Sequence, residues 1–134
     1  MARILLADDD DDMVEICSRL LPRRGHEVIL ARDGADAVAK AQECRPDIIL
    51  MDMRMPESAG GQVNDRAGIE ATRQIKTIPE IAGIPVLALT GHMMSKFKEN
   101  IAEVGCVGMV PKPIEDFGAL LALIDRHLGP SSPP

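Results

Sequence analysis

Five short apolar runs, spaced along the whole chain, constrain its fold more than any other feature. They cover residues 4–7, 28–31, 48–51, 86–89 and 107–110. Each run is continuous rather than alternating, which is typical of strands that are covered on both faces and are therefore usually parallel. The sequence thus predicts five buried strands in one parallel sheet.

Segments with a helical spacing of apolar residues separate these runs. The apolar stripes fall within residues 13–21, 35–42, 69–75, 93–104 and 117–128. Proline or glycine follows several of them, as at Pro22, Pro46 and Gly105, and Asp33 is a suitable N-cap for the second helix. The order βαβαβαβαβα predicts an α/β protein with helices on both faces of the sheet. Its default form is the doubly wound, flavodoxin-like fold with strand order 2-1-3-4-5.

Length and composition fit one domain and exclude several functions. The 134 residues suffice for one domain, which we place at residues 1–129, followed by a flexible tail at residues 130–134. The net charge of −6 would repel nucleic acid, and only two aromatic residues are available to stack on bases. No apolar run approaches the roughly 20 residues of a membrane span. Three scattered cysteines, with no signal peptide before the first acidic cluster, predict a cytoplasmic protein with reduced thiols.

Polar residues that could carry chemistry come at the ends of the predicted strands. Asp8 and Asp9 follow the first strand, Asp52 ends the third, Thr90 follows the fourth and Lys112 follows the fifth. In an open parallel sheet, ligands bind beyond the carboxyl ends of the strands, and strands 1 and 3 are neighbours in the predicted order. We therefore expect the three aspartates to share one cleft, with the threonine and the lysine beside it.

Three carboxylates in one cleft repel each other strongly unless a cation lies among them. An all-oxygen ligand set favours Mg²⁺, with Mn²⁺ as a second candidate. Open metal positions, a lysine and a hydroxyl suit phosphoryl transfer, because they neutralise charge that builds on the phosphoryl oxygens. A carboxylate can itself be the nucleophile, which gives an acyl phosphate.

Four segments resemble the receiver domain of two-component response regulators. They are residues 4–9 (ILLADD), 47–56 (DIILMDMRMP), 85–90 (PVLALT) and 111–114 (PKPI). No single segment is specific to that family, but the four in this order and spacing are. The resemblance implies a cis peptide bond before Pro113. It also implies the following roles: Asp52 as the phosphorylated aspartate; Asp8, Asp9, Asp52 and the backbone carbonyl of Arg54 as Mg²⁺ ligands; Thr90 and Lys112 as contacts of the phosphoryl oxygens.

The same resemblance implies partners. A sensor histidine kinase or a histidine phosphotransfer protein would supply the phosphoryl group. A downstream protein would read the change on the face formed by the fourth helix, the fifth strand and the fifth helix. The domain would not be an enzyme for other substrates, although slow loss of its own phosphate is expected. Two alternatives stay open, namely an unphosphorylated pseudo-receiver that acts as a binding module, and a metal-dependent phosphohydrolase.

The chain departs from the family pattern around the expected site. Residues 57–66 contain about eight more residues than the family usually has there, which predicts a long, mobile, glycine-rich loop. Met109 lies on the fifth strand where the family often has Tyr or Phe, so switching by an aromatic rotamer is not expected. Gly91 and His92 follow Thr90, where Ala is the commoner first residue.

Overall fold

A five-stranded parallel sheet forms the centre of the molecule. The computed structural model describes residues 2–91 and 97–128. The sheet strands are β1 (Arg3–Ala7), β2 (Glu27–Ala31), β3 (Ile48–Asp52), β6 (Val86–Thr90) and β7 (Gly108–Pro111). Their order is β2-β1-β3-β6-β7, and every pairing is parallel. Counted within this sheet, the order is the predicted 2-1-3-4-5, so the fold class is confirmed.

Within the described residues, five α-helices pack beside the sheet. They are α1 (Asp11–Leu20), α2 (Gly34–Cys44), α3 (Ala67–Lys76), α4 (Lys98–Glu103) and α5 (Phe117–Leu128), with a short 3₁₀ turn at Pro22–Arg24. Asp33 caps α2 as predicted, since its carboxylate accepts from the amide of Asp36 at 2.7 Å. Gly25, at φ 85°, takes the left-handed conformation that ends the 3₁₀ turn. Met93, in the predicted fourth apolar stripe, and the predicted tail at residues 130–134 lie outside the described residues.

Two aliphatic layers bury the sheet on both faces. Leu5 and Ala7 of β1 point into the layer beneath α2, α3 and α4. Ile4 and Leu6 point into the layer beneath α1 and α5. The period of two along the strand explains this division. Because β3 is buried along its whole length, its last residue, Asp52, is held at the edge of a rigid core. Among the described residues, no helix is long and apolar enough to cross a membrane.

The insertion, which the sequence predicted as a long, mobile, glycine-rich loop, contains regular structure that was not predicted. Two short strands, β4 (Met55–Pro56) and β5 (Val63–Asn64), pair in antiparallel fashion. A turn within the connecting residues includes a bond from the amide of Gly61 to the carbonyl of Ser58 at 3.0 Å, and Gly60 has φ 80°. Glycine at that position permits the left-handed backbone that the turn requires. The segment at residues 55–64 is called the hairpin below.

Candidate functional site

The three predicted aspartates converge at the carboxyl ends of two neighbouring strands. Ala7 of β1 lies in register with Met51 of β3, so the residues that follow each, Asp8 and Asp52, lie side by side. Carboxylate oxygens of Asp8, Asp9 and Asp52 lie within 4.8 Å of one another. The expectation that strand order would bring these side chains into one cleft is therefore met.

Asp8 is fully buried and has partners on both oxygens. One oxygen accepts from the amide of Asp10 at 2.9 Å, and the other accepts from Nζ of Lys112 at 2.9 Å. The same ammonium lies 3.4 Å from Oδ2 of Asp52 and 3.7 Å from Oδ2 of Asp10. Lys112 thus binds the two buried carboxylates at once. Burial by itself would lower the pKa of Lys112, but the surrounding carboxylates outweigh burial and raise it.

Asp52 carries the strongest electrostatic perturbation of the cleft. Burial and the negative charge of Asp8 together raise its pKa from 3.8 to about 8, although Lys112 and the amide of Arg54 act in the opposite direction. That amide donates to Oδ1 of Asp52 at 3.2 Å. The lysine therefore does not compensate fully for placing a second carboxylate beside Asp8.

The charge balance of the cleft fits a divalent cation. When all are ionised, the carboxylates of Asp8, Asp9 and Asp52 and the ammonium of Lys112 have a net charge of −2, and Asp10 adds a further carboxylate 3.7 Å from that ammonium. Compact oxygen donors that include a partly exposed carboxylate match what Mg²⁺ accepts, since this ion keeps some of its water ligands. Asp8, Asp9 and Asp52 are the side chains able to hold it. A cation beside Asp52 would favour the ionised carboxylate and would therefore oppose the rise in pKa that burial and Asp8 cause.

Backbone contacts bring Thr90 and Lys112 together at the ends of β6 and β7. Thr90 ends β6 and pairs with Pro111 of β7, and its carbonyl accepts from the amide of Lys112 at 2.7 Å. The Lys112–Pro113 peptide bond is cis, as the resemblance implied. His92 lies outside the described residues. Met109 is half-buried in β7 and packs against the α2–α3–α4 core layer.

Two contributors to the site were not assigned to it from sequence. Gly68, in the first turn of α3, lies against the end of β3, where an added Cβ would lie 2.3 Å from the carbonyl oxygen of Asp52 and 2.6 Å from Cα of Met53. Only glycine allows this approach. Arg32, after β2, bonds the carboxylate of Asp11 at 2.8 Å and approaches the carbonyl of Asp9 at 3.5 Å. Its position after a strand was the available sequence signal, but it does not identify a contact partner.

A doubly wound α/β domain with a buried acidic cleft at its switch point is the class that the fold and the site define. The family model of the response regulator receiver domain matches residues 4–125. The chain therefore belongs to the receiver domain family of two-component response regulators.

Individual relatives agree with this assignment. The polar-differentiation response regulator DivK of Brucella anthropi is 33% identical over 111 residues, which is 83% of this chain and 84% of that protein. The chemotaxis response regulator CheY4 of Vibrio cholerae superposes with a TM-score of 0.81 at 31% identity, over 95% of this chain and 98% of that one. The receiver domain of the sensor histidine kinase PA1611 of Pseudomonas aeruginosa, solved with a magnesium ion in its active-site cleft, gives 0.82 at 30% identity over 96% and 98%.

Proposed function

We propose that this domain accepts a phosphoryl group on Asp52 in a Mg²⁺-dependent reaction and signals through altered binding to a protein partner. The observation that carries the proposal is the buried cluster of Asp8, Asp9 and Asp52 with Lys112 bridging two of its members. Burying such a cluster of charges is unfavourable unless the charges are paired. The Lys112 ammonium pairs with the cluster and can also stabilise negative charge that develops on phosphoryl oxygens during transfer.

In the proposed reaction, a carboxylate oxygen of Asp52 forms a bond to phosphorus while the phosphorus–nitrogen bond of a phosphohistidine breaks. The donor imidazole keeps the electron pair and takes up a proton. The donor would be a sensor histidine kinase or a histidine phosphotransfer protein. Bound Mg²⁺, held by Asp8, Asp9, Asp52 and the backbone carbonyl of Arg54, would supply positive charge beside the phosphoryl oxygens. The magnesium ion in the related PA1611 receiver domain supports this choice of metal.

Lys112 and Thr90 have complementary parts in the proposal. Nζ of Lys112 lies 3.4 Å from Oδ2 of Asp52. It is therefore close enough to contact an oxygen of a phosphoryl group bound to that carboxylate. The hydroxyl of Thr90, at the end of the neighbouring strand, would donate to another phosphoryl oxygen. The domain would then lose its phosphate slowly and would not turn over foreign substrates.

The proposed output face comprises α4, β7 and α5. A cavity of about 440 Å³ lies in the β7–α5 part of this face, lined by residues that include Met109, Ile114 and Leu123. Lys112 also lines it, so a shift of that lysine toward a phosphoryl group would reach this surface directly. Phosphorylation would stabilise one of two existing arrangements and so change affinity for the partner. We place this signalling in the cytoplasm, on the ground that the three cysteines are free thiols.

Labelling at Asp52 tests the proposal. The protein would be incubated with acetyl phosphate and Mg²⁺ and followed by intact-mass spectrometry, with EDTA and Asp52→Asn as controls. We expect an acid-stable, base-labile adduct that needs the metal and the aspartate. Equal labelling of Asp52→Asn would refute the site. Absence of labelling by acetyl phosphate, by beryllofluoride and by a panel of phosphorylated histidine donors would favour the binding-module alternative.

A further inference from the structure

The hairpin and the residue that follows it are attached to the rest of the domain at two points. Directly after its first strand, the carbonyl of Glu57 accepts from the amide of Ala35 in the first turn of α2 at 2.8 Å. Such an amide has no partner within its own helix, so the hairpin supplies one. Nδ2 of Asn64 also donates to the Glu57 carboxylate at 3.1 Å, which ties the two strands together. The insertion is therefore built on the domain rather than loosely attached to it.

Asp65, directly after the hairpin, is the second point of attachment. Its carboxylate lies 3.1 Å from Nε of Arg54. The preceding side chain, Asn64, accepts from the amide of Arg66 at 2.9 Å, an Asx-type turn that fixes the backbone on both sides of Asp65. The carboxylate is thus presented from a structured turn.

Arg54 connects this turn to the phosphoacceptor residue. Its side chain reaches outward to Asp65, while its own amide donates to Oδ1 of Asp52. One residue therefore links the inserted segment to the reacting carboxylate. Any rotation of the Arg54 backbone would change both the hydrogen bond that its amide donates to Asp52 and the direction of the Arg54 carbonyl.

We propose that Asp65 is a positioning residue for the acceptor site. By holding the guanidinium of Arg54, it fixes the backbone that donates to Asp52 and that completes the Mg²⁺ site. This inference rests on the proposed function for its metal and adds a role for the insertion. Asp65 acts only through Arg54 and touches no reacting atom.

A simple effect of charge would behave differently. Asp65 is negative and Arg54 is positive, so long-range attraction alone would weaken Mg²⁺ binding when Asp65 is neutralised and strengthen it when Arg54 is neutralised. Positioning predicts that either change weakens Mg²⁺ binding. The two accounts therefore differ in the sign of the Arg54 effect.

A double-mutant cycle with Asp65→Asn, Arg54→Gln and the double variant tests the inference. Because both side chains are partly exposed, we expect a modest effect, up to about fivefold weaker Mg²⁺ affinity in each single variant. The double variant should be no weaker than either single one, since both remove the same contact. Arg66→Gln is the matched control, because its partner Glu70, at 3.9 Å, has no bond to Asp52.

A metal-free measurement separates positioning from charge in a second way. Hydrogen exchange at the Arg54 amide should quicken in Asp65→Asn and stay unchanged in Arg66→Gln, with equal thermal midpoints. Tighter Mg²⁺ binding in Arg54→Gln, or unchanged exchange in Asp65→Asn, would overturn the inference. If the unaltered protein bound no Mg²⁺ and accepted no phosphate, the proposed function would fail instead, so the two failures are distinguishable.

Discussion

Two ion pairs flank the acceptor site, and they differ in burial far more than in length. Lys112 and Asp8 lie 2.9 Å apart with side chains 17% and 0% exposed. Arg54 and Asp65 lie 3.1 Å apart with side chains 56% and 37% exposed. Water solvates the second pair and screens it, while the first has little water to replace a lost partner. The buried pair therefore governs whether the acidic cleft is stable, and the exposed pair can only adjust its geometry.

Removing the buried cation should give the largest effect. Lys112→Met leaves Asp8 without its ammonium, and we expect the metal-free protein to lose about 3 kcal/mol of unfolding free energy. Urea unfolding in EDTA measures this. Lys40→Met, which breaks only a surface pair with Asp36 at 3.9 Å, should change it by less than about 0.5 kcal/mol. Similar losses in both variants would mean that burial does not distinguish these pairs.

The variant Asp52→Asn tests the buried side of this comparison through the pH dependence of the unfolding free energy. The pKa of Asp52 is about 8 in the folded state against 3.8 ordinarily, so between these values the folded protein holds a proton that the unfolded chain releases. Stability contributed by this group is complete below about pH 4 and is lost as pH rises toward 8. We expect the metal-free protein to lose on the order of 2 kcal/mol across that window, and Asp52→Asn to remove this loss.

Urea unfolding at several pH values in EDTA checks this expectation. Glu80→Gln, in the exposed segment before β6, should retain the pH dependence. A pH dependence that persists in Asp52→Asn would assign it to another group of the cleft. Excess Mg²⁺ should also reduce the pH dependence of the unaltered protein. A ligand that binds only the folded state opposes unfolding, and it does so most where its carboxylate ligands are ionised.

Excising residues 58–65 should have the smallest effect on stability. Most of these residues are exposed, and shortening a loop changes its closure entropy only slowly with length, so we expect a change below about 1 kcal/mol. The excision removes Asp65, so it should weaken Mg²⁺ affinity as Asp65→Asn does and should slow phosphorylation by acetyl phosphate. Unchanged affinity and rate would remove the insertion from any account of the site.

Much of the fold was predictable because local patterns and global topology agree. The continuous apolar runs gave β1, β2, β3, β6 and β7 nearly to the residue. The right-handed crossover rule then left few arrangements to consider. The hairpin was not predictable, since its strands have two residues each and the adjacent residues Glu57 and Asp65 attach it to α2 and Arg54, which no apolar pattern indicates.

The sequence predicted which residues form the candidate site, but not how their charges interact. Strand ends placed Asp8, Asp52 and Lys112 at one edge of the sheet. Which carboxylate the lysine binds at 2.9 Å, and how far the pKa of Asp52 rises, depend on burial that no local pattern encodes. Asp10 caps α1 and also lies 3.7 Å from Lys112, a second contact that no local pattern indicates.

The sequence by itself determined the succession of strands and helices along the chain and the chemical character of the cleft, because apolar runs and the polar residues that follow them are local properties of the chain. Only the tertiary structure decided which ion pairs balance the negative charge of the cleft. Lys112 contacts Asp8, which lies 104 positions away in the sequence, and Arg54 contacts Asp65, which lies eleven positions away. Burial makes the first contact strong and exposure makes the second adjustable. Both depend on solvent access, which is set only when the helices pack on the sheet.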